Sequence, residues 1–308
     1  MKVISRFAPV VALLVMLMPA AGAQDNALYF IDAHSQVDHQ VVPLEKVIAI
    51  MKQGGVSRTI LSSRGKLKDE SLLALAGRYP DEITPAIRTK GRPYDTGSNK
   101  YYKKLDRQAA SGRFSAMAEV LLYHAQKGNK AQEIVVYPED RRVQVALKHA
   151  VENQWPFVVH IEFGSLRGDR KHFMESLERM LEQYPEQPFV LTHMGQLKPE
   201  DAGRLIQKHA NLHFHTGWTN PAAVNRSNQP WVNIFKDNHL APEWRDLFVQ
   251  YPGRFVFALD NVFAEHWTGF YVKQMDYWRE ALSKLPSDVA HLIAHGNAER
   301  LWHIPPGG

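Results

Sequence analysis

Short apolar runs alternate with helical patterns eight times along this chain, and this alternation constrains the fold most. The predicted strands lie at residues 29–36, 59–63, 83–87, 115–122, 156–161, 189–192, 212–215 and 254–259. The helical patterns lie at residues 43–55, 71–79, 100–110, 141–153, 171–184, 199–209 and 242–249, with a final pair after Trp267. Because parallel neighbours need long, right-handed crossovers, this order predicts an α/β protein with a single (β/α)8 TIM barrel. An open doubly wound sheet is the alternative, but no Gly-rich phosphate loop follows the first strand.

The N-terminus has the features of a signal peptide. Lys2 and Arg6 precede an apolar stretch at residues 7–18, and Ala21-Gly22-Ala23 is a small-residue cleavage pattern. The apolar stretch is shorter than the roughly 20 residues that a membrane-spanning helix needs. We therefore expect residues 1–23 to be removed, with no stable membrane insertion afterwards and a periplasmic or secreted location. An uncleaved anchor is the alternative.

The mature chain, residues 24–308, is predicted to form one barrel domain. It contains no cysteine, so its stability depends on a large core and not on disulfides. Loss of Lys2 and Arg6 lowers the formal net charge from +5 to +3. This balance argues against a nucleic-acid partner and leaves a small-molecule substrate as the expected one. The sequence is compatible with a homo-oligomer and does not decide the oligomeric state.

Polar side chains lie at or just after the ends of several predicted strands. The carboxyl ends of barrel strands surround one mouth, so these side chains should converge although the sequence separates them. Each one alone could be a core residue paired to the backbone, but the shared position favours a site. Imidazole and carboxylate suit zinc, and manganese or iron accepts the same donors. The residues are Asp32, His34 and Gln36 on the first strand, His160 on the fifth, His193 after the sixth and Asp260 after the eighth.

Five stretches in this order resemble the amidohydrolase superfamily. They are residues 31–36 (IDAHSQ), His160, residues 192–195 (THMG), residues 259–260 (LD) and residues 295–301 (HGNAERL). The resemblance is closest to the amidohydrolase-related branch that includes aminocarboxymuconate semialdehyde decarboxylase, resorcylate decarboxylase and pyrone dicarboxylate lactonase. It covers essentially the whole mature chain and implies a barrel of the metal-dependent hydrolase type.

The resemblance also implies a metal site with one departure from the family pattern. Family members that hold a metal use a His-x-His pair on the first strand, a fifth-strand His and an eighth-strand Asp. Carried over, the ligands are His34, His160 and Asp260, while Gln36 replaces the second His of the pair. Three interpretations follow: a divalent ion, zinc first, on three side chains plus water; the same ion with Gln36 as a weak or water-mediated ligand; or no metal, as in the lactonase branch.

Roles for the remaining polar residues follow from this site. Asp260 would take the proton of the attacking water and return it to the leaving group, with His193 as the acid or as support for the developing oxyanion. Arg64 and Arg88 are candidates for holding a substrate carboxylate, with structural ion pairs as the alternative. His215 is a further candidate for lining the site.

The predicted function is hydrolysis of a small carbonyl substrate, a lactone, ester or amide, outside the cytoplasm. The water would be activated by a metal or by the Asp260 and His193 pair. Non-oxidative decarboxylation is the alternative within the same family. A metal-free pseudoenzyme or ligand-binding barrel is the alternative from another class. It is suggested by Gln36, which replaces the second His of the family pattern.

Overall fold

The computed structural model describes residues 28–128 and 131–307. Its strands are β1 Phe30–Val37, β2 Val56–Ser63, β3 Ile83–Ile87, β4 Ala116–Met117, β5 Val120–His124, β6 Ile134–Val135, β7 Phe157–Ile161, β8 Phe189–Leu191, β9 Leu212–His215, β10 Phe235–Lys236, β11 His239–Leu240 and β12 Phe255–Val256. Its α-helices are α1 Lys46–Gly54, α2 Asp69–Arg78, α3 Arg92–Asp95, α4 Asn99–Ala109, α5 Arg141–Glu152, α6 Arg170–Gln183, α7 Pro199–Lys208, α8 Pro221–Val224, α9 Pro242–Gln250, α10 Gly269–Ser283, α11 Ser287–His291 and α12 Asn297–Trp302. The predicted signal peptide lies outside the described residues.

Parallel pairing arranges most of these strands in a closed barrel, as the sequence predicts, while β10 and β11 form a separate antiparallel pair. One run of neighbours is β1-β2-β3-β4, and the other is β12-β9-β8-β7-β5 with β6 added antiparallel at its edge. Backbone hydrogen bonds close the barrel between β1 and the chain after β12, since the amide of Ala33 donates to the carbonyl of Phe257 (3.0 Å) and that of Asp260 to His34 (2.8 Å). The barrel brings the strand ends to one mouth.

The fourth barrel strand differs from the prediction of one continuous strand over residues 115–122. It is broken between β4 and β5, because the amide of Ala118 bonds to the carbonyl of Ile87 (2.9 Å) outside the regular ladder. The first half pairs with β3 and the second half with β7. The segment from β4 to β5 therefore connects the two runs of strands, and its backbone turns at Glu119. A pattern of alternating side chains does not reveal such a turn. The eighth predicted strand, residues 254–259, is regular only over β12.

Apolar packing closes the end of the barrel opposite the polar mouth. Small and branched side chains that precede the polar residues on their strands, including Ala33, Val158 and Val190, are buried with Leu301 and Trp302 of α12. The side-chain amide of Asn297 holds this helix in place by donating to the carbonyls of Pro252 (2.7 Å) and Phe255 (2.8 Å). The C-terminal segment thus closes this end of the barrel.

The surrounding helices follow the predicted positions closely and bury one face each. In α5, Val143, Ala146, Leu147 and Ala150 are buried at helical spacing, and Asp140 caps the helix by accepting from the amide of Arg142 at 2.8 Å. Among the described residues, no helix is both long and apolar enough to cross a bilayer.

Candidate active site

Two of the predicted histidines contact the buried carboxylate of Asp260. Nε2 of His34 lies 3.5 Å from Oδ1 of Asp260, and Nε2 of His193 lies 3.4 Å from Oδ2 of the same side chain. The rings of His160 and His193 are 4.9 Å apart, in an edge-to-face arrangement. All four side chains are almost fully buried. The structure therefore brings residues 34, 160, 193 and 260 together.

His160 lies between two carboxylates. Its Nδ1 is 2.7 Å from Oε2 of Glu119, and its Nε2 is 3.2 Å from Oε1 of Glu162. Glu162 points inward and is also contacted by the ammonium of Lys127 at 2.9 Å and by the amide of Ala125 at 2.8 Å. Burial lowers the pKa of the His160 imidazole, but the two carboxylates outweigh it, so the pKa is raised.

Glu119 is the site residue that the sequence analysis did not single out. It lies at the break between β4 and β5 and is 1% exposed. Its Oε1 contacts the ammonium of Lys90, and its Oε2 contacts His160. Burial raises the pKa of its carboxyl, but Lys90 and His160 outweigh burial and hold the pKa well below its usual range. The one available signal was a charged residue inside the apolar run at residues 115–122.

Gln36 is placed beside the carboxylates, where its amide donates. Its Nε2 lies 3.3 Å from Oε1 of Glu119 and 3.3 Å from Oδ1 of Asp260. In this orientation the NH2 group of Gln36, and not its oxygen, faces the two carboxylates. Asp32, two residues before His34, accepts from the amide of Leu259 (2.9 Å) and from the hydroxyl of Ser35 (2.5 Å), so it fastens the barrel seam and does not enter the site.

The loop after β8 fixes the tautomer of His193. The backbone φ of His193 is 54° and that of Met194 is 52°, in the sparsely populated left-handed region. Nδ1 of His193 lies 3.0 Å from the carbonyl oxygen of Gly217 and must carry the ring proton to donate to it. Burial and the neighbouring His160 hold the pKa of His193 well below its usual range. The neutral ring therefore presents the lone pair of Nε2 to the site.

His215, at the end of β9, faces the site as expected. Its Nδ1 accepts from the amides of Gly217 (3.0 Å) and His193 (3.4 Å), and its ring stacks against His34 at 5.6 Å. Nε2 of His215 is buried with no hydrogen-bond partner among the described residues. Its role in substrate binding stays a prediction.

The two predicted arginines occupy different environments. Arg64 lies over the ring of Phe263 (4.4 Å to the centroid) with its Nη1 3.5 Å from Asp38, at the rim of the mouth. Nε and Nη1 of Arg88 donate to the carbonyls of Lys90 (3.0 Å) and Gly65 (2.9 Å). These bonds hold two loops together, so Arg64 is the better candidate of the two for contacting a substrate.

Two tryptophans from the segment after β9 cover the mouth. The ring of Trp231 lies 4.8 Å from that of His193 and 5.7 Å from that of Trp218, and the ammonium of Lys127 lies 4.6 Å from the Trp231 centroid. The indole NH of Trp218 donates to the carbonyl of Asp260 at 3.0 Å. The aromatic cover therefore contacts the reacting groups directly.

The donor set fits a divalent cation. Two groups of side chains, His34 with Glu119 and Asp260, and Glu119 with His160 and His193, each bring ligand atoms within 4.8 Å of one another, and both contain Glu119. Nε2 of His34 is buried without a hydrogen-bond partner among the described residues. Imidazole nitrogen and carboxylate oxygen are the donors that zinc and related ions prefer.

Fold and site together define a TIM-barrel enzyme whose mouth carries imidazoles and carboxylates. The amidohydrolase family model matches residues 106–304, so this chain belongs to the amidohydrolase family and is an enzyme of the hydrolase type. Metal dependence is typical of this family. The closer resemblance to the decarboxylases and lactonase stays a prediction.

Solved structures with the same fold support the barrel. They include an uncharacterised TIM-barrel protein from Bordetella bronchiseptica (16% identity, 85% of this chain and 83% of that chain, TM-score 0.58). They also include a dihydroorotase from Campylobacter jejuni (13% identity, 91% and 85%, TM-score 0.57) and an amidohydrolase from Burkholderia multivorans with bound zinc (11% identity, 90% and 100%, TM-score 0.50). At these identities the likeness concerns the fold. No curated protein matches the sequence significantly.

Proposed function

We propose that this protein is an exported, metal-dependent hydrolase of a small carbonyl substrate, a lactone, ester or amide. The observation that carries the proposal is the contact of both His34 and His193 with the two oxygens of Asp260, beside Glu119. Export rests on the signal-peptide pattern at residues 1–23.

A divalent cation, zinc first, would be held by side chains from the two groups that share Glu119. Bound there, it would lower the pKa of a water molecule and polarise the substrate carbonyl. The family resemblance implies His34, His160 and Asp260 as ligands. Gln36 contributes as a donor to Asp260.

Asp260 is positioned as the general base. Burial and the charge of Glu119 raise the pKa of its carboxyl, which makes it a better proton acceptor than an ordinary aspartate. Its backbone φ is 50°, and its amide donates to the carbonyl of His34, so the carboxylate is held in one orientation. Asp260 therefore takes the proton of the attacking water and returns it to the leaving group.

His193 supports this step through its Nε2. Since the Nδ1 proton is donated to Gly217, the ring in this form can accept a proton or hold an ion at Nε2 but cannot donate from it. This favours a supporting role beside Asp260 over the acid role considered from the sequence. At the rim, Arg64 would contact an anionic group of the substrate.

A substrate panel tests the proposal. The full mature chain, supplied with zinc or manganese, should hydrolyse members of a panel of lactones, esters and amides. Asp260→Asn should reduce kcat/KM by at least about a hundredfold, because it removes the base. Asp246→Asn, which changes a side chain that is 73% exposed, is the matched control and should be unaffected. Equal turnover by wild type and Asp260→Asn would reject the role of Asp260, and release of carbon dioxide without hydrolysis would favour a decarboxylase.

A further inference from the structure

A lysine ammonium contacts the carboxylate that both candidate metal groups share. Lys90 follows β3, and its Nζ contacts Oε1 of Glu119, with side chains that are 20% and 1% exposed, respectively. A cation this close to a buried carboxylate neutralises it without any ion from solution.

The amide of Gln36 completes the same side of the site. Its Nε2 bridges Oε1 of Glu119 and Oδ1 of Asp260, each at 3.3 Å. These are also the two oxygens that lie nearest to Nε2 of His34, at 3.7 and 3.5 Å. The carboxylate oxygens that a metal between His34, Glu119 and Asp260 would need are therefore already contacted by donors of the protein. These donors are the ammonium of Lys90 and the amide of Gln36.

The other carboxylate oxygen of Glu119, Oε2, contacts an imidazole and not an ammonium. Oε2 faces Nδ1 of His160 at 2.7 Å, and the ring of His193 lies next to that of His160, with its Nε2 3.4 Å from Oδ2 of Asp260. The ammonium of Lys90, by contrast, contacts Oε1. A divalent ion there would displace one proton and would not have to displace an ammonium.

We propose that the mouth holds a single divalent cation, at Glu119, His160 and His193, and that Lys90 takes the place of a second cation at His34, Glu119 and Asp260. This inference rests on the metal dependence in the proposed function. Lys90 is a positioning residue in this arrangement, because its fixed positive charge holds Glu119 and, together with Gln36, keeps Asp260 oriented. An ammonium cannot take up a water or carbonyl ligand, so that side of the site is closed to a second ion.

Manganese stoichiometry tests this assignment independently of any substrate. The mature protein, stripped with a chelator and dialysed against Mn²⁺, should retain about one equivalent by elemental analysis, with the electron paramagnetic resonance spectrum of an isolated ion. Lys90→Met/Gln36→His should retain about two equivalents and show spin coupling between them, because the ammonium is removed and a ligand is added. Gln36→His alone should still retain about one.

Controls separate the effect of Lys90 from that of charge in general. Lys127→Met removes a positive charge from the same mouth, but Lys127 pairs with Glu162 and not with Glu119, so one equivalent is expected. Two equivalents in the wild type or in Gln36→His alone, or one in the double variant, would overturn the proposal. If the double variant is unfolded without metal, recovery of its melting transition by Mn²⁺ supports the proposal, and failure to recover contradicts it.

The result is distinguishable from a failure of the proposed function. A protein with one equivalent that gains a second in the double variant, yet hydrolyses none of the panel, would keep the assignment of Lys90 and reject the hydrolase. A wild-type protein that hydrolyses members of the panel but holds two ions would support the hydrolase and reject the assignment of Lys90.

Discussion

The carbonyl oxygen of Gly217 accepts the Nδ1 proton of His193 at 3.0 Å, and this bond sets the orientation of the imidazole that faces Asp260. Gly217 lies directly after β9 and packs against two further site residues. A Cβ atom on Gly217 would lie 2.9 Å from Cε1 of His215 and 3.0 Å from Cβ of Asp260. Only glycine allows the backbone to approach these side chains so closely.

Gly217→Ala should therefore disable the site while leaving the barrel folded. The added methyl group must push His215 or Asp260 away, and a displacement of about 1 Å at a reacting group costs about a hundredfold in rate. We expect kcat/KM to fall by about this factor with a melting temperature within a few degrees of wild type. Steady-state kinetics and thermal unfolding measure the two effects.

Gly77→Ala is the matched control for this substitution. Gly77 lies in α2, and a Cβ there would meet nothing within 4 Å. Alanine at a helical position is favoured over glycine by about 0.5–1 kcal/mol, so this variant should be as active as wild type and slightly more stable. Equal losses of activity in both variants would contradict the explanation from close approach.

The site residues at strand ends could be predicted from the sequence, because the carboxyl ends of all strands of a barrel surround the same mouth. His34, His193 and Asp260 were found in this way. Glu119 was missed because its position depends on the break between β4 and β5, which involves a single backbone hydrogen bond from Ala118. Lys90 follows a strand in a loop, and no periodic pattern reports the direction of such a side chain.

Glu119→Gln tests the importance of the missed carboxylate. The substitution keeps the shape of the side chain but removes the buried negative charge that Lys90 and His160 contact. Removal of one partner of a buried pair costs about 3–5 kcal/mol, so the free energy of unfolding in the presence of a chelator should drop by this order. Metal retention should be lost as well. Denaturant unfolding and elemental analysis provide the measurements.

Glu70→Gln is the comparison for Glu119→Gln, because it breaks an ion pair of similar geometry at the surface. Glu70 pairs with Arg113, and their side chains are 71% and 52% exposed. Since solvent screens exposed pairs, little change in stability is expected. A loss in Glu119→Gln no larger than that in Glu70→Gln would show that the buried pairing does not support the fold.

Glu178 on α6 predicts a loss of stability at acid pH that is unrelated to the active site. Despite its burial, hydrogen bonds from Lys208 and Arg204 lower the pKa of its carboxyl to about 2. The ionised form is favoured in the folded state, so its contribution is fully present above the ordinary pKa of 4.5 and is lost as pH falls toward 2. The difference in unfolding free energy between wild type and Glu178→Gln should shrink over this range.

The exposed Glu186, in the turn after α6, provides the control for the acid titration. Glu186→Gln should follow the wild-type stability curve at every pH. A constant difference between wild type and Glu178→Gln from pH 5 to about pH 2 would show that the ion cluster around α6 does not titrate as described.

Export predicts a defined N-terminus. When the full chain is expressed in a bacterium with a secretion pathway, the purified protein should begin at Gln24 and lack residues 1–23 by intact mass. Ala21→Arg removes a small residue of the cleavage pattern and should leave the leader attached. A wild-type protein that retains residues 1–23 would reject the cleavable signal and favour an anchor.

Trp231 should contribute to catalysis through its contact with His193. The two rings are 4.8 Å apart, and Lys127 lies on the indole. An aromatic contact of this kind is worth about 0.5–1.5 kcal/mol, and about 1.4 kcal/mol corresponds to a factor of ten in rate. Trp231→Ala should therefore lower kcat by up to about tenfold, and Trp231→Phe, which keeps an aromatic face over the imidazole, should retain most of the activity. Both variants lose the indole NH, and alanine also leaves no ring over the imidazole. Equal activity of the two would show that the ring over His193 does not contribute to catalysis.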